Sequence, residues 1–186
     1  MHPDQIGHGF DEILAAAQTG AGWALERIWC AYAGRVQGYL RLQGADAPED
    51  LTSETFLGAF RSIAGFRGDE GAFRSWLFTI AHRRLLDSRR AVARRPVPEP
   101  LESHEPPAAG SAEVEALRLE AEARVRGLCQ RLVPDQRDVL SLRLVAGFTV
   151  DEVAGALDKT PGAVKALQRR GLAALRKILS EEGVSL

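Results

Sequence analysis

Cysteine and histidine are scarce in this sequence, and neither forms a recognisable site. Cys30 and Cys129, the two cysteines, lie far apart and include no C-x-x-C pair. Both fall inside helical patterns, which predicts buried, reduced thiols. The four histidines are scattered: His2, His8, His82 and His104. Their spacing fits neither a metal site nor a catalytic triad, so we expect no metal, no cofactor and no enzymatic activity.

Long apolar runs are also missing. No segment approaches the roughly 20 apolar residues that a membrane span needs, while 45% hydrophobic and 26% charged residues are typical of a soluble globular protein. Residues 1–10 are polar and include Asp4, unlike a secretion signal, which is basic and then apolar. We therefore expect a cytoplasmic protein without membrane insertion.

The chain has almost no excess charge, since its formal net charge is -1, but the charges are unevenly distributed. The first basic cluster contains Arg83, Arg84, Arg89, Arg90, Arg94 and Arg95. The second contains Lys165, Arg169, Arg170, Arg176 and Lys177. Between them lie three acidic residues: Glu99, Glu102 and Glu105. Local basic patches attract phosphates even when the net charge is near zero, so nucleic acid is a candidate partner.

Strand-like alternation and internal repeats are absent, and helical periodicity dominates the first half. Apolar residues recur at helical spacing over residues 9–19 and 22–44. A third helix is predicted from Asp46, a suitable N-cap, with Pro48 in its first turn. A fourth follows the glycine-rich loop at 65–71. The pattern predicts an all-α, four-helix domain over residues 1–93.

A composition change marks the end of this domain. Five prolines follow Arg95: Pro96, Pro98, Pro100, Pro106 and Pro107. Together with small and acidic residues they predict a flexible linker over residues 94–112. Helical periodicity then resumes, which predicts a second small domain over residues 113–186. Domains of this size bury little surface, so we expect them to be stabilised by packing against each other or against a partner.

Two capping signals lie close together in the second domain. Thr149 and Glu152 have the spacing of a capping box, which predicts a short helix over residues 150–157. After a tight connection, Thr160 and Pro161 supply a second N-cap and a first-turn proline. A short capped helix, a turn and a longer capped helix make a helix-turn-helix, a common DNA-reading motif.

The second helix of this motif has two different faces. Val164, Gln168, Gly171, Leu175 and Ile178 share one side; Lys165, Ala166, Arg169, Arg170 and Arg176 share the other. Small and cationic residues near the N-terminus suit entry into a major groove. A solvated helix face has the same appearance, but the paired caps favour DNA binding.

Several ordered motifs resemble those of bacterial extracytoplasmic-function (ECF) sigma factors, which direct RNA polymerase to promoters. The first half contributes residues 47–56, Phe66-Arg67-Gly68-Asp69, and residues 76–81 followed by Asp87 and Arg89-Arg90. The second half contributes residues 135–140, 147–149, 152–154 and 162–165. The resemblance spans roughly residues 10–182. It implies a sigma region-two domain, a linker and a sigma region-four helix-turn-helix domain.

The resemblance assigns polymerase docking to the third helix. In the family this segment contacts core RNA polymerase, which here implies Glu49, Asp50, Leu51, Glu54 and Phe56. Its acidic side could meet a basic partner surface, while Leu51 and Phe56 could add apolar contacts. For Phe56 a purely structural place in the core is an equal alternative.

Recognition and melting of the minus-ten element are assigned to the loop and the fourth helix. Opening a duplex requires pockets that stack or hydrogen-bond unpaired bases. The implied residues are Phe66, Arg67, Asp69, Phe73, Trp76, His82, Arg83, Arg84 and Arg90. Ordinary core packing is an alternative for Phe73 and Trp76. Arg83 departs from the family, where asparagine is common at this position.

Recognition of the minus-thirty-five element is assigned to the helix-turn-helix, and the implied residues are Thr160, Gly162, Lys165, Ala166, Arg169 and Arg170. Here Ala166-Leu167-Gln168 replaces the family's frequent Ser-Arg-hydrophobic sequence, so the target sequence cannot be transferred. The acidic linker would enter the polymerase in the family, although any one glutamate there fits a plain tether equally well.

Two other functional classes compete with this interpretation. An autonomous repressor or activator could use the same helix-turn-helix, but it would need a dimer interface or a ligand pocket in the first half. An enzyme would need a catalytic constellation that the sequence lacks. The expected partners are core RNA polymerase, promoter DNA and an anti-sigma protein that covers the docking surfaces of both small domains.

Overall fold

The computed structural model describes residues 6–7, 9–94 and 112–183. Within these ranges the chain forms eight α-helices, one 3-10 turn and no strand. The helices are α1 (Phe10–Gln18), α2 (Gly22–Leu42), α3 (Pro48–Ser62), α4 (Glu70–Arg94), α5 (Ala112–Gln130), α6 (Pro134–Leu144), α7 (Val150–Leu157) and α8 (Pro161–Glu181). The 3-10 turn is Ile63–Gly65. The all-α prediction is confirmed.

Helices α1 to α4 surround a common core in the first half. The side chains of Ile28, Tyr39, Phe56 and Leu77 have almost no exposed surface. Helix α2 packs on α3, and α3 on α4. Gly44 ends the α2 segment at a φ of 75°, a left-handed conformation in which glycine carries no Cβ penalty.

Helices α7 and α8 form the predicted helix-turn-helix. Helix α6 packs against both of them, and α5 packs against α8. Both predicted caps of this motif are present, since Thr149 accepts a hydrogen bond from the Glu152 amide and Thr160 accepts one from the Ala163 amide. The predicted N-cap of α3, Asp46, is wrong, because the residue before α3 is Ala47 and no side chain caps this helix. The intervening turn passes through Asp158 at a φ of 52°, an uncommon conformation that aspartate tolerates better than most residues.

The two halves share one hydrophobic core across α4, α6 and α7. The Phe78 ring on α4 lies 5.4 Å from the Phe148 ring, which precedes α7. The Arg74 guanidinium lies 3.0 Å from the Glu152 carboxylate. Small domains gain stability from such packing, as expected from their size. The predicted linker lies mostly outside the described residues, as do Glu99, Glu102 and Glu105.

Two further sequence predictions can be compared with the structure. The prediction that both thiols are buried is wrong for Cys30, which is exposed on α2, while Cys129 is half-buried. No helix among the described residues has the length and apolar content that a membrane crossing requires.

Candidate nucleic-acid interface

The cationic face of α8 points outward. Val164, Leu167, Gly171 and Ile178 are buried on its inner side. The Thr160 hydroxyl accepts from the Ala163 amide at 3.2 Å, so the first turn of α8 is firmly capped. The six sequence-predicted residues lie together on the outer side: Thr160, Gly162, Lys165, Ala166, Arg169 and Arg170. Four of these, Gly162, Lys165, Ala166 and Arg169, line a shallow surface cavity of about 370 Å³.

This surface combines exposed positive charge with small side chains. Lys165, Arg169 and Arg170 are exposed, Gly162 has no side chain, and Ala166 is half-buried. Little side-chain bulk therefore separates the α8 backbone from a docked molecule. A groove with phosphates on its rims and hydrogen-bonding base edges on its floor matches this arrangement.

Helix α7, the first helix of the motif, is fixed by its capping box. The Thr149 amide donates to Glu152 Oε2 at 2.6 Å, and the Glu152 amide donates to Thr149 Oγ1 at 3.2 Å. Burial alone would raise the pKa of Glu152. The hydrogen bonds from Thr149 and the Arg74 guanidinium outweigh that effect, so the pKa lies below its ordinary value.

The acidic face of α3 is exposed, but its predicted apolar anchors are not. Glu49, Asp50 and Glu54 are exposed, whereas Leu51 is 7% exposed and Phe56 is 1% exposed. The structure therefore corrects the docking prediction for Leu51 and Phe56, because both side chains are buried and leave almost no surface for a partner.

Other apolar side chains occupy the corresponding surface. Trp29 and Leu57 are exposed, and the Trp29 ring lies 4.7 Å from the Phe56 ring. Neither residue was predicted to be at the surface. Trp29 falls among the apolar residues that recur at helical spacing over residues 22–44, a pattern that predicts a buried side chain. Leu57 follows a core residue by one position, and this 100° offset was the available signal for an outward direction.

The aromatic residues around the predicted minus-ten loop form part of the core. Phe73 contacts Phe66 at 5.4 Å and Trp76 at 5.6 Å, measured between ring centroids. Phe73 is fully buried and Phe66 is 9% exposed, so neither is an open wall for a flipped base in this arrangement. That prediction is corrected for both residues. Trp76, half-buried at the edge of the cluster, is more accessible.

Two polar residues of the same loop remain exposed. Asp69 Oδ1 accepts from the Ala72 amide at 2.8 Å, which caps the start of α4. The Arg67 guanidinium donates to the carbonyl oxygens of Ala64 and Phe66. The loop is therefore ordered by its own side chains and presents one carboxylate and one guanidinium to solvent.

The basic residues of α4 are not equivalent. Arg83 and Arg90 are exposed, with Arg90 3.3 Å from Asp87. Arg84 is half-buried and lies 3.5 Å from Glu54 on α3. These three fit the prediction of an accessible cationic surface, although two of them already have acidic neighbours.

His82 lies on a different side of α4 from the accessible arginines. It is 8% exposed, and its Nδ1 lies 2.8 Å from the Tyr39 hydroxyl. Burial lowers the pKa of His82, opposed by the negative charge of Asp138 and assisted by Arg89 and Lys159. Burial likewise raises the pKa of Asp138. The predicted phosphate or base contact of His82 is corrected, because the second half covers its ring.

Two family models match the chain. Sigma-70 region 2 matches residues 29–95, which include most of α2 together with α3 and α4. Sigma-70, region 4 matches residues 130–177, which include α6, α7 and most of α8. The first match therefore includes the basic residues of α4, and the second includes the basic residues of α8.

Curated proteins similar to this chain are sigma factors. The ECF RNA polymerase sigma factor BldN of Streptomyces coelicolor is 34% identical over 176 residues, covering 92% of this chain and 66% of BldN. SigK of Mycolicibacterium vanbaalenii is 33% identical, and the match covers 70% of this chain and 68% of SigK. The sigma-H factor of Pseudomonas aeruginosa is 30% identical, and the match covers 90% of this chain and 92% of the sigma-H factor.

Solved structures share the fold. CnrH in complex with the cytosolic domain of CnrY has a TM-score of 0.69 at 24% identity, covering 91% of this chain and 96% of CnrH. The sigma factor RpoE in complex with the anti-sigma factor NepR, from Bartonella quintana, has a TM-score of 0.62 at 21% identity. The match covers 83% of this chain and 96% of RpoE. At these identities the similarity concerns the arrangement of helices.

Proposed function

Because this chain belongs to the sigma-70 family of RNA polymerase sigma factors, in its ECF group, we propose that it binds core RNA polymerase and directs it to a specific set of promoters. Sigma factors are initiation factors without catalytic activity of their own. An alternative sigma factor acts with the polymerase, unlike an autonomous regulator. The proposed site of action is the cytoplasm, where polymerase and chromosome lie.

The single observation that supports this function best is the outward cationic face of α8. Its residues Lys165, Arg169 and Arg170 are exposed, while the opposite face is buried. We assign recognition of the minus-thirty-five element to this face, with Thr160, Gly162 and Ala166 beside it. Arginine and lysine read guanine edges and neutralise phosphates, so both affinity and sequence preference can come from this helix.

The first half supplies the polymerase contact and the minus-ten contact in this proposal. Glu49, Asp50 and Glu54 give α3 an exposed acidic face, and Trp29 and Leu57 supply apolar area nearby. The proposed minus-ten surface comprises Arg67, Asp69, Trp76, Arg83, Arg84 and Arg90. The domain limits stay as predicted, with residues 1–93 for the first function, 94–112 as linker and 113–186 for the second.

Regulation by a protein inhibitor also fits the proposal. RpoE was solved with an anti-sigma factor, and this chain shares the fold of RpoE. An anti-sigma protein would gain from the exposed apolar residues Trp23, Trp29 and Leu57, which are 60%, 38% and 56% exposed. A partner that covered these side chains would remove their apolar surface from water, which favours association.

Run-off transcription with purified core polymerase on genomic fragments tests the function. New start sites that require this protein are the expected result. Failure to find any polymerase-dependent initiation would contradict the proposal and favour an autonomous DNA-binding regulator.

A pair of variants tests the assignment of α8. Arg169→Ala with Arg170→Ala should reduce initiation from promoters with an intact upstream element by about tenfold or more, because one lost base contact costs about 1–3 kcal/mol. Association with core polymerase should be unchanged. The matched control, Arg176→Ala with Lys177→Ala, removes the same charge from the same helix farther from the Thr160 cap and should have a much smaller effect. Equal losses in both pairs would contradict the assignment.

A further inference from the structure

Helix α1 holds the loop that precedes α4, residues 66–69, here called the minus-ten loop. The side-chain amide of Gln18, at the end of α1, donates to the carbonyl oxygens of Ile63 at 3.2 Å and of Phe66 at 2.8 Å. Ile63 begins the 3-10 turn, and Phe66 is the residue after it. One amide group therefore spans the whole turn and fixes the direction in which the chain leaves Phe66.

A second side chain ties the other end of this loop. Glu70, the first residue of α4, accepts from the Ile6 amide at 2.6 Å and from the Gly7 amide at 3.0 Å. The Tyr32 hydroxyl of α2 donates to the same carboxylate at 2.7 Å. Three donors from two separate segments thus meet at one carboxylate, which fixes the start of α4 to α2 and to the residues before α1.

Aromatic packing joins the same elements beneath the loop. The Phe10 ring of α1 lies 5.6 Å from the Phe73 ring of α4, and the Phe73 ring lies 5.4 Å from the Phe66 ring. The loop backbone is itself closely packed, since a Cβ added at Gly68 would lie 2.8 Å from the Ala72 Cβ. Helix α1 is therefore part of the support of the minus-ten loop.

The residues between these two fixed ends belong to the proposed minus-ten surface. Arg67 and Asp69 are exposed, and they lie between Phe66 and Glu70 in the chain. Opening a duplex requires that unpaired bases be captured, and groups that are already in place lose less entropy when they bind. Contacts from outside the loop thus determine where its polar side chains are presented.

We propose that α1 and residues 6–7 take part in promoter opening, because they position the minus-ten loop through Gln18 and Glu70. This inference rests on the proposed sigma function and extends it to a segment that precedes residues 29–95, the match to Sigma-70 region 2. Gln18 and Glu70 are positioning residues that act through Arg67 and Asp69. Polymerase binding should not depend on Gln18, since it contacts the chain after the end of α3 and the proposed docking residues lie in the first half of that helix.

Hydrogen exchange of the free protein, measured by NMR, tests the Gln18 contact without transcription. The Phe66 amide donates to the Ile63 carbonyl at 3.0 Å. In Gln18→Ala this amide should exchange about tenfold faster, because two hydrogen bonds that oppose local opening are lost. Alanine favours helix, so α1 stays folded. The matched control Thr19→Ala removes an exposed hydroxyl that donates to Ala16 within α1, and it should leave exchange at Phe66 unchanged.

Promoter opening with core polymerase measures the consequence. Fluorescence of 2-aminopurine in the minus-ten segment of a promoter found by run-off transcription reports unstacking. Holoenzyme with Gln18→Ala should open the duplex about tenfold more slowly than holoenzyme with Thr19→Ala, at equal affinity for core polymerase. A template whose minus-ten segment is already unpaired by mismatches should restore initiation by Gln18→Ala, because the opening step has been supplied. A misfolded chain would fail on both templates.

Glu70→Gln tests the second contact. The substitution keeps the shape of the side chain, but its NH2 group cannot accept from the amides of Ile6 and Gly7, so these amides should exchange faster. Opening should slow in the same direction as in Gln18→Ala, by a smaller factor, since one acceptor oxygen remains. The control Glu12→Gln removes the same charge from an exposed position on α1 and should change neither exchange nor opening.

The outcomes separate this inference from the proposed function. Unchanged exchange at Phe66 in Gln18→Ala, or opening as fast as with Thr19→Ala, would overturn the positioning role even if the parent chain initiates transcription. Slower opening that the unpaired template fails to restore would also overturn it. Faster exchange together with slow, template-restored opening would support it. A parent chain that never initiates would contradict the sigma function and with it a role in opening, while exchange would still decide whether Gln18 holds the loop.

Discussion

At the scale of single residues, burial divides the predicted site into two groups. The charged residues Lys165 and Arg169 are exposed as predicted, while Phe56, Phe73 and His82 are buried. A cation on the polar side of an amphipathic helix has one low-energy direction, so the sequence specifies it. An aromatic ring or a neutral imidazole is stable both in the core and at the surface, so only the neighbouring segments of the folded chain decide whether it is buried.

His82 makes a pH-dependent contribution to stability that can be measured. Burial lowers its pKa in the folded chain, with Asp138 opposing and Arg89 and Lys159 assisting this shift, while Tyr39 holds Nδ1. The unfolded chain therefore takes up a proton first as the pH falls below about 6.5. The free energy of unfolding should decrease from pH 7 toward pH 5.

Urea unfolding at pH 5, 6, 7 and 8 checks this expectation. In His82→Gln, which retains a polar group for the Tyr39 hydroxyl, the decrease below pH 6.5 should be smaller than in the parent chain. Asp138 acts in the opposite direction at lower pH, because its raised pKa favours the folded state as it protonates. Parallel stability curves for the two proteins would contradict the role given to His82.

At the scale of helices, capping signals were the most informative part of the sequence. The predicted helix over residues 150–157 agrees with α7, and Pro48 and Pro161 mark the first turns of α3 and α8. Caps involve residues a few positions apart, so they can be identified without knowledge of the fold. The face that each helix buries is decided by distant segments of the chain. Leu51, which the family resemblance assigned to polymerase docking, is buried by the helices packed around it.

Two glycines in the helix-turn-helix should respond oppositely to alanine. A Cβ on Gly171 of α8 would lie 2.9 Å from Leu140 Cδ1 and 3.3 Å from Gln136 Cβ, whereas a Cβ on Gly155 of α7 would meet nothing within 4 Å. Gly171→Ala should destabilise the protein by about 1–3 kcal/mol through overpacking. Gly155→Ala should stabilise it by about 0.5–1 kcal/mol, since alanine favours helix.

Denaturant titration of both variants measures the difference. Because the substitution is the same and both sites are helical, their contrast isolates the contact between α8 and α6. A stabilising Gly171→Ala would mean that α8 does not approach α6 as closely as described.

At the scale of the whole molecule, the sequence predicted two parts but not their mutual packing. The proline-rich segment after Arg95 signals a break in local structure, and nothing in it specifies whether the parts touch. Phe78 and Phe148 are separated by 70 positions in the sequence, and from sequence alone each is simply an apolar residue that is expected to be buried. Their contact depends on the complementarity of two assembled surfaces, which periodicity does not encode.

The shared core predicts that the two halves unfold together. All three tryptophans, Trp23, Trp29 and Trp76, lie in the first half, while α5 to α8 add helical signal from the second. Tryptophan fluorescence and far-ultraviolet circular dichroism should therefore give coincident urea transitions in the parent chain. In Arg74→Gln the two midpoints should separate. Distinct midpoints in the parent chain would show that the halves unfold independently.

The dual use of the Glu152 carboxylate has a consequence for mutational scanning. Most substitutions at this position would remove the hydrogen bond from the Thr149 amide to the Glu152 carboxylate and so destabilise the start of α7. A stability screen would attribute the whole effect to that lost cap. The contribution to contact between the halves would be hidden in that result. Glutamine is the informative allele, because it alone is expected to preserve the first role while weakening the second.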